Sequence, residues 1–338
     1  MNPEDPKTTE LAEALPTLPS VAIQEAAADA EVFATASRAA STWRAYESDW
    51  RIFCAWCQTM DLAALPAAPA TVAMFLAAEA KNGTAPSTLN RRLAAIRLMH
   101  LGARVVSPHN AVEIQEVMRG IRRLSTRGIV KKEAAVDEQI KKMVDTCDTA
   151  TYQGQRDRAL LLLGFAGALR RSELVALDVA HLKLSDEGFV VTIAKSKTDQ
   201  EAQGQTIAIP RVPDSPYCPV QAVLDWMAMA GIEQDALFRR VTKGNKLTLD
   251  RLTDQSVARI IKRLAARAGL MASQYAGHSL RSGFLTSAAQ QRASIFKMQA
   301  QSRHKSLDVL SGYVRAHELF ENHAGEGLLT SSKSDDGS

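Results

Sequence analysis

Residues 277–315 read GHSLRSGFLTSAAQQRASIFKMQAQSRHKSLDVLSGYVR, and four side chains in them are of types that act on a phosphate: His278, Arg281, His304 and Tyr313. Upstream, LRRSEL sets Arg170 three residues before Glu173, and AKSKT offers Lys195 and Lys197. Each residue alone has an ordinary explanation. Arg170 would pair with Glu173, a turn lysine would be solvated, the histidines would be structural and the tyrosine half-buried. As a set they suit phosphoryl transfer. Two arginines clamp the non-bridging oxygens of a phosphodiester and stabilise the charge of a pentacoordinate transition state. Histidines donate to the same oxygens or move protons near neutral pH. A tyrosine hydroxyl, ordinarily titrating near about 10, becomes a nucleophile if cations lower its pKa. A lysine protonates the leaving oxygen. No carboxylate cluster with metal-ligand spacing accompanies them, which favours a covalent mechanism without cofactor over a two-metal nuclease.

The elements that carry these groups are mostly helical. His278 and Arg281 share a helix face, and Ser306 is placed to cap a short helix bearing Tyr313. Before them, helices are expected over 137–147 and 155–167, then over RRSELVAL with Arg170 and Glu173, over 219–230, and over QSVARIIKRLAARAG behind an Asp254 cap. The last of these has Arg259, Lys262, Arg263 and Arg267 on its polar face. Two strands, GFVVTIAKSK and QTIAIP, form a hairpin around the lysines. Nearer the N-terminus, Trp43, Tyr46, Trp50, Phe53 and Trp56 recur every three or four residues, one apolar face of a long helix with Ser41 as its cap. Helices capped by Thr71 and Ser87, and one beyond Pro108, complete an all-helical domain.

Length and charge fit this division. The chain has 338 residues, enough for about two domains. Its net charge of +4 is uneven. Residues 1–35 hold seven acids against Lys7, net −6, so the rest carries +10, a balance suited to a polyanionic partner. Four cysteines make no disulfide framework, and Cys54 and Cys57, a CxxC inside the aromatic helix, read as core packing. No apolar run reaches membrane-spanning length and no signal peptide is evident, so a cytoplasmic protein is expected. The expected domains are a disordered acidic tail (1–35), a helical domain (36–124), a linker (125–136), a mixed domain (137–330) and a short tail (331–338).

Taken together, H-x-x-R on His278 and Arg281, R-H-K-S from Arg303 and G-Y ending on Tyr313 resemble the C-terminal signature of the tyrosine recombinases, or phage integrases. GALRRSEL resembles the family's Gly-x-Leu-Arg-x-x-Glu motif, with the catalytic arginine on Arg170 and the supporting acid on Glu173. The resemblance implies a mainly α fold with a small β-sheet, an N-terminal all-helical core-binding (SAM-like) domain and a mixed α/β catalytic domain. It implies Tyr313 as nucleophile, with Arg170, Glu173, His278, Arg281, His304 and a hairpin lysine, Lys195 or Lys197, the latter nearer the turn. It further implies double-stranded DNA with inverted-repeat sites as partner and a homotetramer on that DNA. DNA contacts would come from Thr42, Arg44, Ser87, Asn90, Arg91, Arg92, Arg119, Arg122 and Arg123 in the first domain, and from Gln255 and Arg259 in the second. Leu319, Phe320, Leu328 and Leu329 would dock on a neighbouring protomer or pack within their own chain. A type IB topoisomerase shares this chemistry without pairing sites, and a DNA-binding regulator would share the basic surface without the chemistry.

Overall fold

The aromatic stripe gives the first helix its inner face. In the computed structural model, which describes residues 40–125, 133–193 and 204–317, the chain divides into two units, residues 1–130 and 131–338. In the first, α1 (Ala40–Thr59) buries Phe53 and packs Trp50 and Trp56 beside it. Phe53 meets Phe75 of α2 (Pro69–Lys81) edge-on, 5.0 Å between ring centres, as aromatic quadrupoles favour. α3 (Pro86–Gly102) and α4 (Val112–Leu124) complete the bundle with Leu89, Ile96, Ile114 and Met118. Cys57 lies in this core, and burial pushes the thiols of Cys54 and Cys57 up, away from reactive thiolates. His100 is a core residue as well: Nδ1 faces the Ile96 carbonyl at 2.8 Å, and Nε2 accepts the Ala67 N–H at 2.9 Å.

Helix starts depart from the expected caps. α1 already runs at Ala40, so Ser41 lies inside it. α2 and α3 start on prolines, whose missing N–H is harmless at the first helical position, leaving Thr71 and Ser87 within the first turn.

In the second unit, α5 (Asp137–Asp145) precedes α6 (Tyr152–Ala166), which is buried on nearly every side and forms the centre of the unit. A short α7 (Arg171–Ala176) leads to a three-stranded antiparallel sheet, β1 (Leu182–Ser185), β2 (Gly188–Ile193) and β3 (Gln205–Pro210). Phe189, Val191 and Ile193 alternate inward from β2, and Val191 pairs with Ile207. α8 (Pro219–Ala230) packs on α6, followed by the hairpin β4 (Arg239–Val241) and β5 (Leu247–Arg251). β1 and this hairpin escape sequence reading because three to five residues carry too little alternation. α9 (Asp254–Arg267) is capped by Thr253, whose Oγ1 accepts the Ser256 N–H, one residue before the expected Asp254. α10 (Ser279–Gln290), α11 (Ile295–Ser302) and α12 (Leu307–His317) enclose a second small core of Leu285, Ala289, Met298 and Leu310. Among the described residues no helix is long and apolar enough to cross a membrane.

The stretch expected to be linker as far as 136 is tied down from residue 133. The Glu133 N–H donates to the Gln274 carbonyl at 2.9 Å and the Ala135 N–H to the Ser279 carbonyl at 3.0 Å. Gly283 of α10 permits the approach, since a Cβ there would stand 1.9 Å from the Ala135 oxygen. The tails, the 194–203 turn and Arg127 lie outside the described residues.

One ion pair joins α6 to α9. Asp157, 1% exposed, accepts from Arg156 at 2.7 Å and from Arg263, which turns inward rather than joining the polar face of α9. Asp157→Ala strands two guanidinium groups with little water to replace the carboxylate. It is expected to destabilise the protein by about 3–5 kcal/mol, measured by urea unfolding, with Asp157→Asn losing less.

Candidate active site

The site is built on the turn that joins α6 to α7. Gly164 of α6 leaves room for Leu280 of α10, whose Cδ1 would stand 2.8 Å from any Cβ there, so the two helices meet closely. Ala168 in the turn takes a left-handed conformation (φ 45°). Its carbonyl accepts from Nη1 of the buried Arg281 at 2.8 Å. Arg170 is therefore not on a helix, as its sequence context suggests. It is the extended residue before α7, and Glu173 is the third residue of that helix. Glu173 folds back to accept the Arg170 N–H at Oε2 (2.9 Å) and the Arg170 Nη1 at Oε1 (2.5 Å).

A third arginine, which sequence reading passed over, completes the cluster. Arg303 ends α11 in a left-handed conformation (φ 58°, ψ 42°). Its side chain, 2% exposed, donates through Nη2 to Glu173 Oε2 at 2.7 Å. Its only sequence signal is its place before His304 in the R-H-K-S run, which gives it no role of its own. Burial tends to raise the Glu173 carboxyl, but Arg303 first and the bonds from Arg170 next outweigh it and hold it below the ordinary value. Burial, then the nearby Arg170, pushes Arg281 down to about 9, with Glu173 opposing, so it stays a cation at neutral pH.

His304 follows in the segment between α11 and α12. The Ser302 hydroxyl, which donates to the Met298 carbonyl at 2.6 Å, also stands 2.8 Å from His304 Nδ1. Arg281 Nη2 lies over the same ring, 3.3 Å from Nδ1 and 3.4 Å from Nε2. Burial, with Arg281, Arg170 and Arg303 adding repulsion, pushes His304 down to about 4. The imidazole is neutral at physiological pH. Tyr313 lies on α12, whose first turn Ser306 caps through the Asp308 N–H at 3.1 Å. The tyrosine is half-buried against the small core. Burial raises its pKa and Arg281 lowers it by less, so the free protein holds a phenol rather than an activated phenolate. His278 stands exposed at the head of α10, three residues before Arg281. The structure thus gathers Arg170, Glu173, Arg281 and His304, with Tyr313 in electrostatic reach of Arg281. Lys195 and Lys197 lie outside the described residues.

The expected DNA-facing residues divide into two groups. On α3, Ser87, Asn90 and Arg91 are exposed at the spacing of one helix face. Arg91 is nonetheless bound to the buried Asp49 by two bonds of 2.7 and 3.1 Å. Arg92, 11% exposed, is withdrawn onto Glu79 and Asp49 and holds α1, α2 and α3 together. Arg119, Arg122 and Arg123 form an exposed basic face on α4; Gln255 and Arg259 do so on α9, and Arg44 is exposed on α1 with Thr42 half-buried.

A profile of the Phage integrase family matches residues 136–319, and one of the phage integrase N-terminal SAM-like domain matches residues 29–104. The chain belongs to the phage integrase family. It is a tyrosine recombinase with a SAM-like N-terminal unit. The Integrase/recombinase xerD homolog of Selenomonas ruminantium is 36% identical over 291 residues, 85% of each chain. Recombinase cre of Escherichia phage P1 is 23% identical over 295 residues, covering 81% of this chain and 83% of that one. In fold, the chain is similar to the crystal structure of the XerH site-specific recombinase bound to a palindromic difH substrate (TM-score 0.56, 17% identity, 74% of this chain and 69% of that one).

The depressed His304 makes stability of this recombinase depend on pH. Between the ordinary 6.5 and about 4 the unfolded chain takes up a proton that the folded chain refuses. This contribution is complete above 6.5, is lost as pH falls toward about 4, and is constant below. His304→Gln should flatten the fall of the unfolding midpoint across that window. An unchanged slope would show that His304 protonates equally well in both states.

Proposed function

We propose that this recombinase cuts and rejoins duplex DNA through a 3′-phosphotyrosyl intermediate, using Tyr313 as the nucleophile. What carries the reading is the convergence of Arg170, Arg281 and His304 around Glu173, with Tyr313 coupled to Arg281. The free donors of Arg170 and the Nη2 of Arg281 neutralise the non-bridging oxygens of the scissile phosphate, and His278 adds a hydrogen bond from its exposed position. The phenol oxygen attacks phosphorus, its proton passes to a histidine nitrogen, and the bond from phosphorus to the 5′ oxygen breaks. Lys197 supplies the proton that makes the leaving group a 5′-hydroxyl. A 5′-hydroxyl from a second duplex reverses the step, and two such exchanges pass through a Holliday junction. Because the covalent link conserves the phosphodiester energy, no nucleotide cofactor is called for.

The partner is double-stranded DNA carrying inverted-repeat sites, bound by four protomers on two duplexes. Supporting this is an apolar groove of about 420 Å³ on the second unit, lined by Leu162, Phe165, Phe284 and Met298 among others. It suits an apolar segment such as that holding Leu319, Phe320, Leu328 and Leu329, donated by a neighbouring protomer. Backbone contacts come from Arg119, Arg122 and Arg123, and base contacts from Asn90, Arg91, Gln255 and Arg259, the Arg91 guanidinium first releasing Asp49.

Nicked duplexes drawn from the source replicon test the chemistry. Wild-type protein should give a covalent protein–DNA band without added metal, and Tyr313→Phe should give none while retaining DNA within a few-fold. Nicking by the Phe variant would remove Tyr313 from the mechanism. Relaxation of plasmids lacking the trapped site would instead favour a topoisomerase.

Replacing Arg119, Arg122 and Arg123 together by Ala should weaken binding about equally on all sequences. The slope of log affinity against log salt should fall by about 2 to 3. An unchanged slope in a filter-binding titration would place that face away from the DNA.

A further inference from the structure

We propose that Arg303 is a positioning residue for strand cleavage: it binds the Glu173 oxygen that the Arg170 side chain leaves and so helps fix the guanidinium that receives the phosphate. The inference rests on the phosphotyrosyl reading above.

The backbone supplies the first argument. Arg303 occupies a left-handed conformation that glycine adopts freely and that an L side chain adopts only against steric opposition. Nothing in the path of the chain calls for arginine there, so the side chain must be what the position serves. It is a long cation sent inward to 2% exposure, and it ends on a carboxylate that is 1% exposed. A buried pair of this kind gives little net stability beside an apolar packing of the same volume, but it fixes geometry.

The geometry it fixes is that of Glu173. One oxygen of that carboxylate, Oε1, takes Arg170 Nη1; the other, Oε2, takes Arg303 Nη2 and the Arg170 N–H. With Arg303 removed, Glu173 is bonded to Arg170 alone, and the carboxylate that holds the Arg170 guanidinium loses its one anchor from outside the 170–173 segment. Arg303 is anchored in turn. Its Nη1 donates to the Gln301 carbonyl at 2.9 Å and points at the Gly167 carbonyl at 3.4 Å, in the same turn whose Ala168 carbonyl holds Arg281. The end of α11, the turn and Glu173 are thereby one assembly.

Its charge acts as well. Three guanidinium groups face one carboxylate, with His304 neutral among them, so the unliganded pocket holds an excess of positive charge. A phosphodiester relieves that excess, and a transition state with more negative charge relieves it further. Arg303 works without touching the phosphate, because Nη1 and Nη2 are bound to protein acceptors and the whole side chain, its unpartnered Nε included, is closed to solvent.

The test compares single-turnover formation of the covalent adduct on the nicked duplex trapped by wild-type protein. Arg303→Met removes the charge and keeps most of the volume. Arg303→Gly relaxes the left-handed backbone and serves if the Met variant fails to fold. Either variant, folded by thermal unfolding and retaining DNA within threefold, is expected to form adduct about 10- to 100-fold more slowly. Glu173→Gln should be slowed similarly. The double variant with Arg303→Met should be no more than threefold slower than the slower single variant, because both act through one contact. Adduct formation within threefold of wild type by a folded Arg303 variant would overturn the proposal. So would slowing in the double variant equal to the product of the two single effects, or the unfolding of both Arg303 variants, which would leave a purely structural role. Absence of adduct from wild-type protein would instead defeat the phosphotyrosyl reading.

Discussion

The site depends on one buried carboxylate holding several cations in place. Arginines repel one another and lose hydration when they are brought together, and burial alone pushes each of them toward losing its proton. Glu173 makes the gathering tolerable, since its two oxygens bind Arg170 and Arg303 directly and its charge also supports Arg281. Backbone carbonyls from the turn at 167–168 face one further nitrogen each of Arg281 and Arg303. The result is a preorganised anion site, in which the protein has met the cost of assembling positive charge before any phosphate arrives.

The same economy appears in the N-terminal unit. Asp49, 2% exposed, accepts from Arg91 and Arg92, with Glu79 taking a second bond from Arg92. A helix whose Arg91 and Arg92 read as free for contact is in fact partly bound to its neighbours. Arg92 serves the bundle, while Arg91, 48% exposed, keeps part of its guanidinium available. Exposed basic character concentrates instead on α4, where Arg119, Arg122 and Arg123 follow one face.

Features with a local physical cause were legible in the sequence. The aromatic spacing of α1, the all-apolar run of α6 and the alternation in β2 each follow from a period that a linear reading detects. So does the set of Arg170, Glu173, Arg281 and His304, which the fold brings together and whose types and intervals are themselves the signal. Cap positions shifted where proline competed with Thr71 and Ser87 for the helix start. Arg303 stayed hidden for a different reason. Its importance comes from a left-handed backbone and from burial against a residue 130 positions earlier, and neither leaves a trace in local pattern. The raised pKa of Tyr313 was equally out of reach, since it arises from packing against α10 and α11 rather than from the charges visible in the motif.

The turn at 167–170 also governs when during its making the protein becomes able to cut. Its carbonyls and Glu173 come early in the second unit, yet their partners Arg281 and Arg303 lie 113 and 136 residues on from the acceptors they meet. Contacts so distant in sequence close late, after the intervening sheet and helices have found their places. On a ribosome, Arg170 waits with its carboxylate while most of the domain emerges, and Tyr313 follows last of the set. A chain that stops short of α10 therefore holds Glu173 beside Arg170 without the Arg281 and Arg303 that complete the cluster.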